Sequence, residues 1–245
     1  MFDKKKYFEK LFYNYKNTNK IPSVDLHIHT SWTDGKNTVN EMYNEAIKKK
    51  IETLLFSEHS RQDSGDWFLD FAKEIKFLRK QDQKKCLLLI GTEVKIINYK
   101  GDIDLSNKIK NQCDLIMASV HRFPNEGTIK NMQGQYSNNK IEKFSTKDAY
   151  AIEFDLTISA MENSNVDIIG HPFGMTIKRF GQNPPWDYFL KLIKKAKKND
   201  KIIEVNYYYH KNHRKILDAC IDNGTLISFG SNAHSISELG RISAV

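Results

Sequence analysis

The sequence predicts an α/β barrel made of one large domain, and three observations carry that expectation. Short β-branched or aliphatic runs alternate with longer amphipathic ones along almost the whole chain. The short runs are nearly continuous in apolar residues, as strands covered on both faces are. About seven of them fit within 245 residues, a length at which a closed or nearly closed parallel barrel is common.

Residues 3–17, with Phe2, Tyr7, Leu11, Phe12 and Tyr15 at helical spacing, predict a helix lying on the body. Residues 1–22 are therefore read as an N-terminal helical extension and 23–245 as the barrel domain. After Pro22 the strand VDLHI precedes a helical VNEMYNEAIKKK, and TLLFSEH precedes DWFLDFAKEIKFLRKQ. The strands CLLLIGTEV and DLIMASVH follow, then a helical TKDAYAIEFDLTISAMEN, the strand VDIIGHP and a helical WDYFLKLIKKAKK. KIIEVNY, a helical HRKILDACIDNG and TLISFGSNAH complete the alternation. Residues 125–145 form the longest irregular segment, the kind that serves as a lid or binding loop.

The formal charge of +8 comes mostly from lysines on helix-like segments, such as Lys48 to Lys50 and Lys194 to Lys201. Lysines in the last turns of helices complement the helix dipole and form solvated faces. Nucleic acid is therefore the less favoured partner, and a weak attraction for anionic substrates is expected. Cys86, Cys113 and Cys220 are widely spaced, odd in number and set among apolar residues, as small core residues are. No apolar run is long enough to cross a bilayer, and the lysine-rich start lacks the apolar core of a signal peptide, so a soluble cytoplasmic protein is expected.

The chemistry lies in the histidines. In VDLHIHTSWTDG, His27 and His29 are two apart, which on a strand places both on one face. A single histidine there reads as a core residue, but two together need two separate hydrogen-bonding solutions when buried. Six of the chain's eight histidines share this position: His27, His29, His59, His121, His171 and His234 each end or follow an apolar strand. In a parallel barrel the strand C-termini open on one face, so six imidazoles converge on one mouth. Asp34 and Glu93 occupy equivalent places. Imidazole nitrogen beside carboxylate oxygen suits zinc, manganese or iron, and this many ligands implies two or three divalent ions. His210 and His213, in YYYHKNHRK, fall outside the pattern and read as surface residues. Closely spaced cations would lower the pKa of a bound water. Arg122, beside His121, Arg179, after His171, and Arg61, after His59, lie in the loops at the same strand ends.

DLHIHTSWTDG resembles the opening motif of the PHP (polymerase and histidinol phosphatase) family, written D-L-H-x-H-T with a following D-G. SEH at 57–59, GTE at 91–93, SVH at 119–121, GHP at 170–172, EVN at 204–206 and SNAH at 231–234 follow in the family's order. The resemblance spans Val24 to Gly240. It implies a distorted (β/α)7 barrel holding two or three metal ions at the strand C-termini and hydrolysing phosphate esters. It further implies that His27, His29, Asp34, His59, Glu93, His121, His171, His234 and position 232 bind the metals, with Glu93 bridging two. Two residues depart from the pattern. Asn232 replaces a ligating aspartate, and a neutral amide oxygen is the weaker ligand. Glu58 replaces the aspartate of T-D-H, where a longer carboxylate would orient a ligand. Alternation on the last strand would let Asn232 and His234 project together. Little sequence follows His234 to cover that strand.

The function that the resemblance implies is hydrolysis of a small phosphomonoester, similar to histidinol phosphate, a sugar phosphate or a nucleotide, by attack of a metal-bound hydroxide on phosphorus with no serine or cysteine nucleophile. Arg122 and Arg179, with Arg61 a third, are the candidate phosphate contacts. The rival readings are a phosphodiesterase or exonuclease on the same site, with Trp32, Tyr136 and Tyr207 to Tyr209 as stacking platforms, and a barrel that binds metal weakly and docks a partner. An amidohydrolase shares H-x-H on its first strand but commonly uses a bridging lysine, a place taken here by Glu93.

Overall fold

The computed structural model describes residues 2–81, 85–123 and 145–242, with the backbone of two short strands at 129–130 and 136–137. In chain order the elements are α1 (Lys4–Thr18), β1 (Val24–Ile28), α2 (Val39–Lys48), β2 (Thr53–Ser60), α3 (Gly65–Gln81), β3 (Leu87–Lys95), α4 (Asn107–Lys110) and β4 (Leu115–Ser119). There follow β5 (Ile129–Lys130), β6 (Tyr136–Ser137), α5 (Thr146–Ala160), β7 (Ile168–Ile169), α6 (Gly174–Phe180), α7 (Trp186–Lys198), β8 (Ile202–Asn206), α8 (His213–Asn223) and β9 (Ile227–Gly230). Seven strands pair in parallel in the order β1-β2-β3-β4-β7-β8-β9, and β5 and β6 form a separate antiparallel pair.

The sheet curls until its two edge strands meet. Ile28 bridges Ala233 in parallel, and the His29 N–H donates to the Ala233 carbonyl at 2.9 Å. Inside this seam lies the wholly buried Asp25. Its carboxylate accepts from the Ser231 N–H at 2.9 Å, the Ser231 hydroxyl at 2.6 Å and the Gly240 N–H at 2.8 Å. Burial pushes the Asp25 pKa up to about 6, against these hydrogen bonds, which favour the charged form. The barrel is thus nearly closed, with strand hydrogen bonding around most of its girth.

The helices form where local chemistry and packing agree. Thr38 and Glu41 make a reciprocal capping box that starts α2, and Ser145 caps α5. In α7 Phe189, Leu192, Ile193 and Ala196 are buried while Lys195, Lys197 and Lys198 end the helix in solvent-side positions. The N-terminal helix α1 buries Phe8, Leu11, Phe12 and Tyr15 in the main core, and the Tyr15 ring lies 6.0 Å from that of Phe229. α1 therefore covers β9 from the opposite end of the chain.

The sequence pattern did not mark α4 or α6. α6 starts at Phe173, a left-handed residue with φ 63° and no side-chain cap of its own. Its first N–H groups are satisfied from a distance by the buried Glu153 of α5, which accepts from Met175 at 3.3 Å and Thr176 at 2.9 Å. Such a cap leaves no local trace in sequence. All three cysteines are free, with Cys86 and Cys220 buried. No described helix is long and apolar enough to cross a membrane.

Replacing Asp25 by Ala should leave the Ser231 and Gly240 donors unpaired and lower stability by roughly 3 kcal/mol. A denaturant titration followed by circular dichroism measures this; an unchanged midpoint would show that the seam does not hold the barrel shut.

Candidate metal centre

Parallel pairing puts His59 of β2 directly beside Glu93 of β3. Glu93 is 1% exposed and stands at the centre of a ring of imidazoles. Its Oε1 lies 2.7 Å from His171 Nε2 and 3.1 Å from His121 Nε2. Its Oε2 lies 3.1 Å from His59 Nδ1, 3.4 Å from His27 Nε2 and 3.6 Å from His29 Nε2. Asp34, in the loop after β1, forms a second focus: its Oδ2 is 3.4 Å from both His59 Nε2 and His234 Nε2, and its Oδ1 is 4.0 Å from His29 Nδ1. Asp34, His59, Glu93, His121, His171 and His234 line a cleft of about 360 Å³, with Lys178, Tyr208, Tyr209, Asn232 and Glu238 completing its wall and His27 and His29 wholly buried beneath it.

A further layer of groups orients this set. Glu204 of β8 is wholly buried; its Oε1 lies 2.7 Å from His27 Nδ1, while its Oε2 accepts from the His171 N–H at 2.5 Å. That contact turns His27 Nε2 towards Glu93. It also explains Gly230: a Cβ there would fall 2.3 Å from Glu204 Oε1 and 2.5 Å from the His27 Cβ. Glu58 accepts from the Thr30 N–H at 2.8 Å, the Thr30 hydroxyl at 2.6 Å and the Thr33 hydroxyl, pinning the loop that carries Asp34. Burial pushes its pKa up to about 7. Glu238 accepts from the His234 N–H at 2.9 Å.

The donor set fits metal ions. Three groups have ligand atoms within 4.8 Å of one another: His29, Asp34, His59 and His234; His27, Glu93 and His171; and His59, Glu93 and His121. Several of these atoms are buried with no hydrogen-bond partner among the described residues, namely His29 Nδ1, Glu93 Oε2, His171 Nδ1 and the amide oxygen of Asn232. Polar atoms so placed need a partner that the chain does not supply. The electrostatics agree. Burial works to raise Glu93 and Asp34, but the surrounding imidazoles outweigh it and hold both below the usual carboxylate range. Burial lowers His29 and His121, keeping them neutral and able to donate a lone pair. It also works to lower His27 and His59, yet their carboxylate neighbours drive both up, His59 to about 10. The carboxylates thus call for positive charge at this place, which a divalent cation would supply in place of the protons.

The family model of the PHP domain matches residues 25–208. The chain belongs to the PHP domain family. A protein of Caldicellulosiruptor saccharolyticus called a probable phosphatase is 28% identical over 230 residues, covering 89% of this chain and 82% of its own length. A solved Listeria monocytogenes structure named for histidinol phosphatase is similar at TM-score 0.68 and 18% identity, over 89% of this chain and 97% of that one. Histidinol phosphate phosphatase of Lactococcus lactis, solved with zinc, L-histidinol and phosphate, is similar at TM-score 0.60 and 17% identity, over 87% of this chain and 86% of that one.

In this PHP barrel the nine expected ligands, His27, His29, Asp34, His59, Glu93, His121, His171, Asn232 and His234, all lie at or beneath one cleft. The expected projection of Asn232 and His234 by strand alternation is corrected. β9 ends at Gly230, and Asn232 is left-handed with φ 56°, so a turn rather than a strand brings the two to the cleft. His210 is likewise corrected: it is 2% exposed, with Nδ1 accepting from the Asn206 N–H at 3.1 Å and Nε2 2.9 Å from the Pro172 carbonyl. It clamps the turn whose residues His171 and Phe173 have φ of 24° and 63°. His213 is half-buried against Tyr207. Arg61, Arg122 and Arg179 are exposed and lie off the described cleft wall, where Lys178 is the cation. Trp32 stacks on Trp67 and donates to Glu74, and Tyr207 lines another cavity, whereas Tyr208 and Tyr209 face the cleft. The Tyr136 side chain and most of the expected lid at 125–145 fall outside the described residues. Sequence reasoning gave no role to Glu204, Gly230 or Lys178; the E-V-N motif was the available signal for the first.

Gly230→Ala should push Glu204 off His27 and reduce metal bound per chain, with a stability loss of about 1–3 kcal/mol; elemental analysis at full metal content would refute the close approach. Burial lowers the His210 pKa to about 4 from an ordinary value of 6.5. The unfolded chain therefore takes up the proton first, and the stability contributed by neutral His210 is complete above pH 6.5 and lost as pH falls towards 4. His210→Gln should flatten that part of the stability profile.

Proposed function

We propose that this PHP protein is a metal-dependent phosphatase that releases phosphate from a small phosphomonoester. The observation that carries the reading is Glu93, a buried carboxylate within 3.6 Å of five imidazoles and with one oxygen lacking a hydrogen bond. The name of the Caldicellulosiruptor relative points the same way. His27, His29, His59, His121, His171 and His234, with Asp34, Glu93 and Asn232, would hold two or three zinc, manganese or iron ions. Such ions lower the pKa of a water and neutralise charge on phosphoryl and leaving oxygens.

The chain's own residues do the rest. Glu93 fixes the spacing of the imidazoles it touches, so that a phosphoryl group meets a preset constellation. Lys178, the cation on the described cleft wall, meets phosphate oxygens as a mobile point charge. Tyr208 and Tyr209 flank the cleft and face the organic part of the ester. A space of about 360 Å³ suits a small substrate of the histidinol phosphate, sugar phosphate or nucleotide class.

Glu93→Gln should abolish both metal retention and phosphate release, read by elemental analysis and a phosphoester panel; activity at the original level would sink the assignment. Asn232→Asp restores a charged oxygen and should tighten metal binding, with a chelator titration as the measurement.

A further inference from the structure

We infer that the protein carries a second ligand site, for an organic phosphate, in the cavity between α1 and α8. This cavity, about 990 Å³, is lined from α1 and its exit by Tyr15, Lys20 and Ile21, and from the start of α8 by Lys211, His213 and Arg214, with Tyr207 between them. It is separate from the metal cleft: Tyr207 lines one, and Tyr208 and Tyr209 line the other.

Two independent features define the ligand. The first is the end of α8, an 11-residue helix whose Asn212 makes no side-chain cap and whose first turn contains no acidic residue. Its leading N–H groups and the positive end of its dipole lie at the cavity beside Lys20 and Lys211, while Asp218, one turn on, is taken up by Arg214 at 3.1 Å. The second is a set of buried polar atoms. Tyr15 is 3% exposed, yet its hydroxyl has no hydrogen-bond partner among the described residues, and the same holds for the Tyr207 hydroxyl and His213 Nε2. Groups of this kind are rarely left unmatched in a packed protein. The Tyr207 and His213 rings stack at 4.1 Å, which fixes both on the cavity wall.

An anion alone satisfies the helix end and the lysines but leaves the two hydroxyls and the imidazole unpartnered. A phosphate attached to a hydroxyl-bearing body satisfies both, with the phosphate at α8 and the body against Tyr15 and Tyr207. A sugar phosphate and a nucleotide share that chemistry.

The test is calorimetric titration of the metal-loaded protein with the phosphonate analogue of ribose 5-phosphate, which phosphatase chemistry does not cleave, and in parallel with inorganic phosphate. Two classes of site per chain are expected for the phosphonate. The double variant Lys20→Glu, Lys211→Glu should weaken one class by about 10-fold or more, with metal content and phosphate release unchanged. Tyr15→Phe should weaken the same class for the phosphonate and leave inorganic phosphate unaffected. The site is overturned if every class of binding survives the double variant, whether one class or two are seen; a single class that the double variant removes keeps this site and counts instead against phosphate binding at the metal cleft. Equal binding of inorganic phosphate to the second class overturns the assignment of an organic body.

Discussion

The architecture depends on one buried carboxylate that joins the ends of the sheet. Asp25 and Ser231 are 206 positions apart, and their hydrogen bonds hold β1 against the segment leaving β9. Opening that seam would separate His27 and His29 from Asn232 and His234, and Asp34 would lose the His234 imidazole that it shares with His59. Charge-assisted hydrogen bonds to three donors offset the cost of burying Asp25, although its raised pKa records that the offset is incomplete.

The centre itself is an unstable arrangement without cations. It gathers six imidazoles and two carboxylates beneath one opening, and leaves buried ligand atoms unmatched. Such a constellation persists because surrounding structure over-determines it. Glu204 fixes His27 and the His171 backbone, Glu58 fixes the loop to Asp34, and Glu153 with His210 holds the turn at residues 171–173 in its left-handed conformation. Strained backbone held in this way is a common feature of functional sites. Preset ligand geometry is also what lets positioned charge act on a transition state without reorganisation.

The same economy shapes the barrel's outside. α1 covers β9, with Tyr15 against Phe229. A large cavity lies between α1 and the start of α8, at Tyr15, Tyr207 and His213.

The sequence by itself determined the strand-and-helix alternation, the seven strands and the placing of six histidines at strand ends. Each is a local signal: periodicity over a few residues, or a polar residue where an apolar run stops. Within VDLHIHTSWTDG the period of two already set His27 and His29 on one face. Tertiary structure alone decided that Asp25 closes the seam, that Glu204 rather than a neighbour in sequence orients His27, and that Gly230 clears room for both. It also decided that His210 is buried and that Lys178 borders the described cleft. These outcomes depend on contacts between residues distant in the chain and on which way a turn projects a side chain, neither of which leaves a periodic trace in the amino-acid order.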